Sequence, residues 1–218
     1  VGAGGTLSTV AGIPLYSATN SIYTHNVSGT DDDAQQNAGY GLAALDAITT
    51  GDNNSAFGYG ALGATTSGSS NTAVGREALR DNTTATGNVA VGQGAGASNT
   101  TGARNIAIGH GAYDNSDTED DNIAIGYDAM ATNTAGGTQN IAIGNYAMDA
   151  HTSGDENVAV GHLAMSANTT GGNNTAVGSD ALLTNTTANN SVAVGHLALK
   201  DNTTGAQNTG IGTSALQY

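Results

Sequence analysis

The stretch Asn71-Thr72-Ala73-Val74-Gly75-Arg76-Glu77-Ala78-Leu79-Arg80-Asp81-Asn82-Thr83-Thr84 decides the fold, because it returns along the chain with small changes. Its glycine recurs at Gly41, Gly58, Gly75, Gly92, Gly109, Gly126, Gly144, Gly161, Gly178, Gly195 and Gly212, each step being 17 residues except one of 18. A fixed period of this length is the mark of stacked repeats, in which each unit covers the apolar face of the next. Positions within a rung are counted below from this glycine, taken as zero.

Position −1 is large and mostly β-branched, as in Val74, Ile108, Ile143 and Val194, and position −2 is alanine from Ala56 to Ala193. Position −3 carries Val, Ile, Thr or Ser, so the segment reads branched, Ala, branched, with alternate side chains on opposite faces of a short strand. Two variable residues follow the glycine, then an alanine (Ala61, Ala78, Ala95) usually followed by Leu, Met or Tyr, which predicts a second short strand turned back at the glycine. Helix is disfavoured because glycine and the Asn-Thr-Thr-Gly clusters interrupt every stretch of helical length.

The fold class expected is therefore all-β: a parallel β-solenoid of about ten to eleven 17-residue rungs, spanning residues 37–218. At about 4.8 Å per rung it forms a rod of about 50 Å. The 18-residue step lies over Ala131–Gln139 and marks a loop, which places the NTTG link on the outside as a turn. Asparagine at position −4 (Asn71, Asn105, Asn157) is expected to bond nearby backbone and to tolerate left-handed geometry at the strand entrance. Residues 1–36 fall outside the repeat. Strand-like runs at Thr6–Tyr16 and Ser21–Val27, then Asp31-Asp32-Asp33, read as an N-terminal cap or connector.

Composition agrees with a thin core: 33 glycines, one proline, one phenylalanine and no tryptophan leave little bulk to fill a globular interior. A net charge of −14, from four basic and eighteen acidic residues, argues against nucleic acid and anionic membrane as partners. No stretch approaches the roughly 18–20 apolar residues of a membrane span, and the first residues do not read as a signal sequence. Without cysteine, disulfide and thiol chemistry are excluded. A slender coil with alanine on one face and branched residues on the other leaves the second face exposed unless copies associate, so a homotrimer about a common axis is expected.

The cores Asn105-Ile106-Ala107-Ile108-Gly109, Asn157-Val158-Ala159-Val160-Gly161 and Ser191-Val192-Ala193-Val194-Gly195 resemble the NSVAIG signature of trimeric autotransporter adhesin heads, which implies a trimeric left-handed β-roll. The unit here is longer than the usual adhesin-head repeat. The full stretch quoted at the outset is similar to repeat arrays in phage tail fibres, in which a C-terminal intramolecular chaperone of the endosialidase type often follows and promotes trimerisation. Both resemblances cover residues 37–218 and imply a structural or adhesive fibre segment that is extracellular, on a cell-surface appendage or virion. The ending at Ser214-Ala215-Leu216-Gln217-Tyr218, within a unit and without a polar cap, is expected to reflect a cut from a longer fibre or a head-to-tail stacking surface.

Candidate binding residues occupy the variable pair after the glycine. Tyr59, His110, Tyr127, Tyr146, His162 and His196 form an exposed series able to stack on sugar rings, which makes a host-surface glycan or receptor the candidate partner. His110, His162 and His196 share one repeat position, where three copies of one histidine on a trimer axis would suit a metal ion. Asp117, Glu119, Asp120 and Asp121 replace an NTTG link and are the candidate calcium ligands, although the glycine and spacing of a recognised calcium loop are missing. The sequons at Asn82, Asn99, Asn168 and Asn202 recur with the turn and are read as turn chemistry. No other cofactor is expected, and no enzymatic activity. A polysaccharide-degrading tailspike, the rival reading, needs convergent carboxylates in a cleft, and an ice-binding solenoid needs a flat threonine array.

Overall fold

A computed structural model describes the backbone of residues 7–10, 13–18, 21–23, 33–133 and 136–217, with side chains from residue 33 onward. Eleven three-residue strands, from β4 (Ala38–Tyr40) to β14 (Thr209–Ile211), pair in parallel and in sequence order, each 17 residues from the last apart from the one 18-residue step. Like residues face like residues, Ala107 opposite Ala124 and Ile108 opposite Ile125. The chain is an all-β parallel solenoid of about ten turns. Ahead of it, β1 (Leu7–Val10), β2 (Ile13–Ala18) and β3 (Ser21–Tyr23) pair antiparallel, and β3 joins the array by pairing in parallel with β4. Thr6, Val27, Asp31 and Asp32, used above to outline this segment, lie outside the described residues.

Within each strand from β4 to β14 the central residue is buried and its neighbours face outward. Side chains alternate across a strand, so from β5 to β13 one alanine per rung points in and both of its neighbours point out. The interior is completed by the alanine at +3 and by Leu, Met or Tyr at +4, all buried from Ala44 and Leu45 to Ala198 and Leu199. One rung departs from this: Gly96 stands at +4, and an added Cβ there would lie 3.1 Å from Leu79 Cδ2. Tyr113, at +4 of the following rung, is the largest fully buried side chain among the described residues. Its hydroxyl donates to the Glu119 carbonyl at 3.2 Å and accepts from Asn122 Nδ2 at 2.8 Å.

The segment after the glycine is not a second strand. Its residues at +2 and +4 are left-handed, Glu77 with φ 59° and Leu79 with φ 48°, and the same pair recurs in every rung from Ala43 and Leu45 to Ser214 and Leu216. Each left-handed non-glycine residue costs about 1–2 kcal/mol. The cost is offset because alternate left-handed residues keep the N–H groups aimed along the rod. Glu77 N donates to Tyr59 O of the preceding rung at 2.8 Å, and Leu79 N to Ala95 O of the following rung at 3.0 Å. The turn therefore bonds from rung to rung as a strand would, while bending tightly enough to close a 17-residue coil.

The asparagine column at −4 bonds nearby backbone as expected but does not itself take the left-handed geometry. The left-handed residue is the one before it, as at Ser70, Arg104 and Gln139. The asparagine itself is fully buried and links three rungs. Asn71 Nδ2 donates to Ala85 O at 2.8 Å, its backbone N–H donates to Asn54 Oδ1 at 3.0 Å, and its own Oδ1 accepts from Asn88 N at 2.9 Å. Nor does the NTTG link lie wholly outside. The asparagines Asn82, Asn99, Asn133, Asn168 and Asn185 at +7 point inward and are fully buried. The sequon side chains Asn82, Asn99 and Asn168 are thus part of the interior, consistent with turn chemistry. The threonine at +8 ties the turn to the next one, Thr83 Oγ1 donating to Thr100 O at 3.1 Å.

The 18-residue step is absorbed in one place. Asn133 Nδ2 reaches Gly137 O four residues on, where Asn99 and Asn168 reach a carbonyl three residues on. The extra residue lies between those anchors, and strand register resumes unshifted at Ile141–Ile143. Thr134 and Ala135 of this loop lie outside the described residues.

Candidate functional site

The repeat sets outward residues of neighbouring rungs close enough to touch, so a side chain at one variable position meets its counterpart a rung away. From the Gly109 rung to the Gly161 rung this produces a continuous aromatic ridge. The His110 and Tyr127 rings stack with centroids 5.3 Å apart and planes 11° from parallel. Tyr127 meets Tyr146 edge to face at 5.3 Å, and Tyr146 meets His162 in the same manner at 6.5 Å. These are favoured aromatic geometries, worth about 0.5–1.5 kcal/mol per pair beyond burial. All four side chains are exposed. Tyr146 sits at +2 and the other three at +1. Asn145 takes the +1 place in that rung, where its Oδ1 accepts the Tyr127 N–H at 3.0 Å.

Of the six candidate binding residues, the structure brings together these four. Tyr59 lies near the N-terminal end, under the Arg76 guanidinium at 6.0 Å from ring centroid to Cζ. His196 is exposed two rungs beyond His162, with Ser179 between. His110, His162 and His196 therefore do not converge within one chain.

The electrostatics of the ridge are acidic. Asp128 lies beside Tyr127 and pushes its hydroxyl pKa up, chiefly by charge repulsion of the phenolate. Asp114 has its carboxyl pKa raised first by burial, with Arg80 opposing the shift.

The four candidate calcium ligands are each directed to a protein donor. Glu119 is buried, its Oε2 accepting the N–H groups of Asp117 and Thr118 at 2.9 and 3.0 Å and its Oε1 that of Gly136 at 3.1 Å. It stands where most other rungs have glycine or alanine, and its carboxylate takes over the turn's backbone groups. Asp121 is paired with Arg104 through Nε at 2.6 Å and Nη2 at 2.8 Å, which holds its pKa below the usual carboxylate range. Asp120 reaches Arg104 at 3.3 Å and accepts the Ala103 N–H at 2.6 Å. Asp117 accepts a hydrogen bond from Thr100 Oγ1. Among the described residues no group of three or more His, Asp or Glu side chains is placed to share a metal ion.

A second surface runs the length of the rod. The branched residue at −1 is exposed in rung after rung, Val74, Val91, Ile108, Ile143, Val177 and Val194 each by 36–41%. At its N-terminal end Tyr40 and Phe57 continue the stripe as stacked rings 6.2 Å apart. The residues at −3 flank it, half-buried.

No helix of the described residues is long and apolar enough to cross a membrane. No protein-family model, curated protein or solved structure matches the chain.

Proposed function

We propose that this solenoid is the rigid segment of an extracellular or virion fibre, assembled as a homotrimer, and that it serves reach and adhesion without catalysis. The observation that carries the reading is the unbroken apolar stripe at −1. Isolated exposed apolar residues are ordinary on a monomer, but a contiguous line of them along the rod marks an association surface. Because the stripe is apolar at the same position of every rung, a second and third copy meet it in register, as a closed symmetric assembly requires. The resemblance of the NTAVG-type cores to adhesin heads and tail-fibre arrays points the same way.

The aromatic ridge supports the adhesive part of the reading. Ring faces and imidazole edges on a fixed scaffold suit sugar rings and their hydroxyls, and a strongly acidic chain disfavours anionic partners. Light scattering of the purified chain, with negative-stain microscopy of the same sample, tests the assembly. A mass of three chains with short rods is expected, and Ile143→Asp together with Val91→Asp should reduce it to one chain. A monomeric wild-type chain would refute the trimer, and long filaments would replace it with head-to-tail assembly.

A further inference from the structure

Near the N-terminal end the repeat is interrupted by subtraction. Position +2 holds a side chain in most rungs and so does position +5, but the Gly58 rung has Gly60 and Gly63 at these two places. The rungs on either side keep theirs: Asp46 on one side, Glu77 and Arg80 on the other. Two missing side chains in one rung leave a notch of about 320 Å³, floored by Ala43, Gly60, Gly63 and Ala64 and walled by Asp46, Glu77, Arg80 and Asp81, with Tyr59 at its lip. That volume lies at the lower end of the range for small-molecule sites, about 300–1,000 Å³.

From this notch we infer a binding site for a neutral pyranose, distinct from the aromatic ridge and beyond the structural role proposed above. Three properties select that ligand class. Two carboxylates of the wall are engaged by guanidiniums: Arg80 holds Asp81 through Nε at 2.8 Å and Nη2 at 2.6 Å, and Glu77 lies 3.0 Å from Arg76 and 3.9 Å from Arg80, while Asp46 leaves the wall, Arg76 included, with a net charge of −1. Such a wall repels an anionic ligand, and the paired groups are already neutralised by one another. They retain lone pairs on the carboxylates and N–H groups on the guanidinium, which a ring of hydroxyls can use from both sides. Tyr59 is 52% exposed and braced by Arg76, giving a ring face for the C–H side of the sugar. The surrounding chain, at net charge −14, disfavours uronic or sialic acids.

The notch can be filled without disturbing the fold. Leu163 and Leu197 occupy the same rung position as Gly60, with φ 56° and 60° against 65° for the glycine, so Gly60→Leu introduces a side chain this backbone already accepts. A Cβ at Gly60 meets only Glu77 Cγ, at 3.6 Å.

The test is saturation-transfer NMR on the whole chain with the methyl glycosides of glucose, galactose, mannose and N-acetylglucosamine. Measured in a Tyr127→Ala background, which removes the stacked centre of the ridge, transfer to at least one of them is expected, falling at least about tenfold in apparent affinity when Gly60→Leu or Tyr59→Ala is added, and unchanged when Lys200→Ala is added. Tyr59→Ala decides the matter should Gly60→Leu fail to fold. No transfer to any of the four, or equal transfer with and without the two notch substitutions in that background, overturns the inference. Light scattering reports separately on the trimer, so the two readings fail independently.

Discussion

Replacing Gly109 by alanine adds one methyl group at a crowded point of the coil. The glycine has φ 136°, a conformation L residues rarely adopt, and the new Cβ would lie 2.2 Å from Gly126 O and 2.6 Å from its carbonyl carbon. Heavy atoms in contact sit about 3.5 Å apart. The obstacle is the backbone of the next rung, held by Gly126 N donating to Ile108 O at 2.8 Å, so no side-chain rotation relieves it. Backbone strain of about 1–3 kcal/mol and overpacking of about 1–3 kcal/mol together give a loss of roughly 2–6 kcal/mol. Gly94→Ala is the control. It too has positive φ, 67°, but an added Cβ meets nothing within 4 Å, and Ala43 holds the same rung position with φ 59°. Its cost should not exceed about 1–2 kcal/mol. Urea unfolding at fixed protein concentration should show Gly109→Ala lowering the midpoint by roughly 1–2 M, well beyond the control. Because solenoids can unfold by sections, hydrogen exchange should place the lost protection in the rungs beside Gly109. Equal midpoints for the two variants would show that close approach of the glycine column does not hold the coil together.

Asn71→Ala should cost more than Asn71→Ser, because alanine orphans both Ala85 O and the Asn88 N–H whereas serine orphans only the first. At about 1–3 kcal/mol per buried orphan the two should separate clearly in the same urea experiment. Ser191 shows the serine arrangement, its Oγ accepting Asn208 N at 3.3 Å, and equal losses would mean the side-chain oxygen contributes nothing. His151 is buried, with Nε2 2.8 Å from Gly154 O and Nδ1 3.2 Å from Asn168 Nδ2, so the neutral ring with its proton on Nε2 satisfies both neighbours. Burial lowers its folded pKa below the ordinary histidine value of about 6.5, with Gly154 and Asp155 opposing the shift. The unfolded chain therefore binds the proton more readily, and the histidine's contribution is complete above pH 6.5 and declines as pH falls from there toward the folded pKa. His151→Asn, the residue several other rungs carry at this place, should flatten the stability profile between about pH 5 and 7. An unchanged slope would assign the acid sensitivity elsewhere.

The features legible in the sequence are those that repeat at one position. The strand, its inward alanine and the glycine corner each occupy one place in the unit, so the period alone exposed them. The turn after the glycine was read as a strand because Ala-Leu pairs carry no sign of the left-handed conformation imposed on Leu79 or Met148. That conformation follows from closing a short coil, a tertiary demand that overrides local preference. The buried asparagines at +7 were missed for a related reason: an NTTG segment looks like solvated turn chemistry until the rungs stack and surround its first residue. Three ridge members were legible as a shared position, but contact with Tyr146, one place later in its rung, required coordinates. The notch could not be read from side chains at all, since it consists of two that are absent.

The single 18-residue turn shows what kind of change this architecture accepts. Its extra residue bulges between Asn133 and Gly137 and leaves the ladders on both sides in step. Every rung presents the same bonding edge to the one above and the one below, so deleting or duplicating a whole unit of seventeen codons rejoins matching surfaces. Slippage between near-identical gene segments would then change the length of the rod in steps of about 4.8 Å without altering its cross-section. Small insertions survive at the turn and nowhere in the strand, where a shift of one residue would exchange the buried alanines for the branched face. Length is thus the most readily inherited variable of this protein, and shape the least.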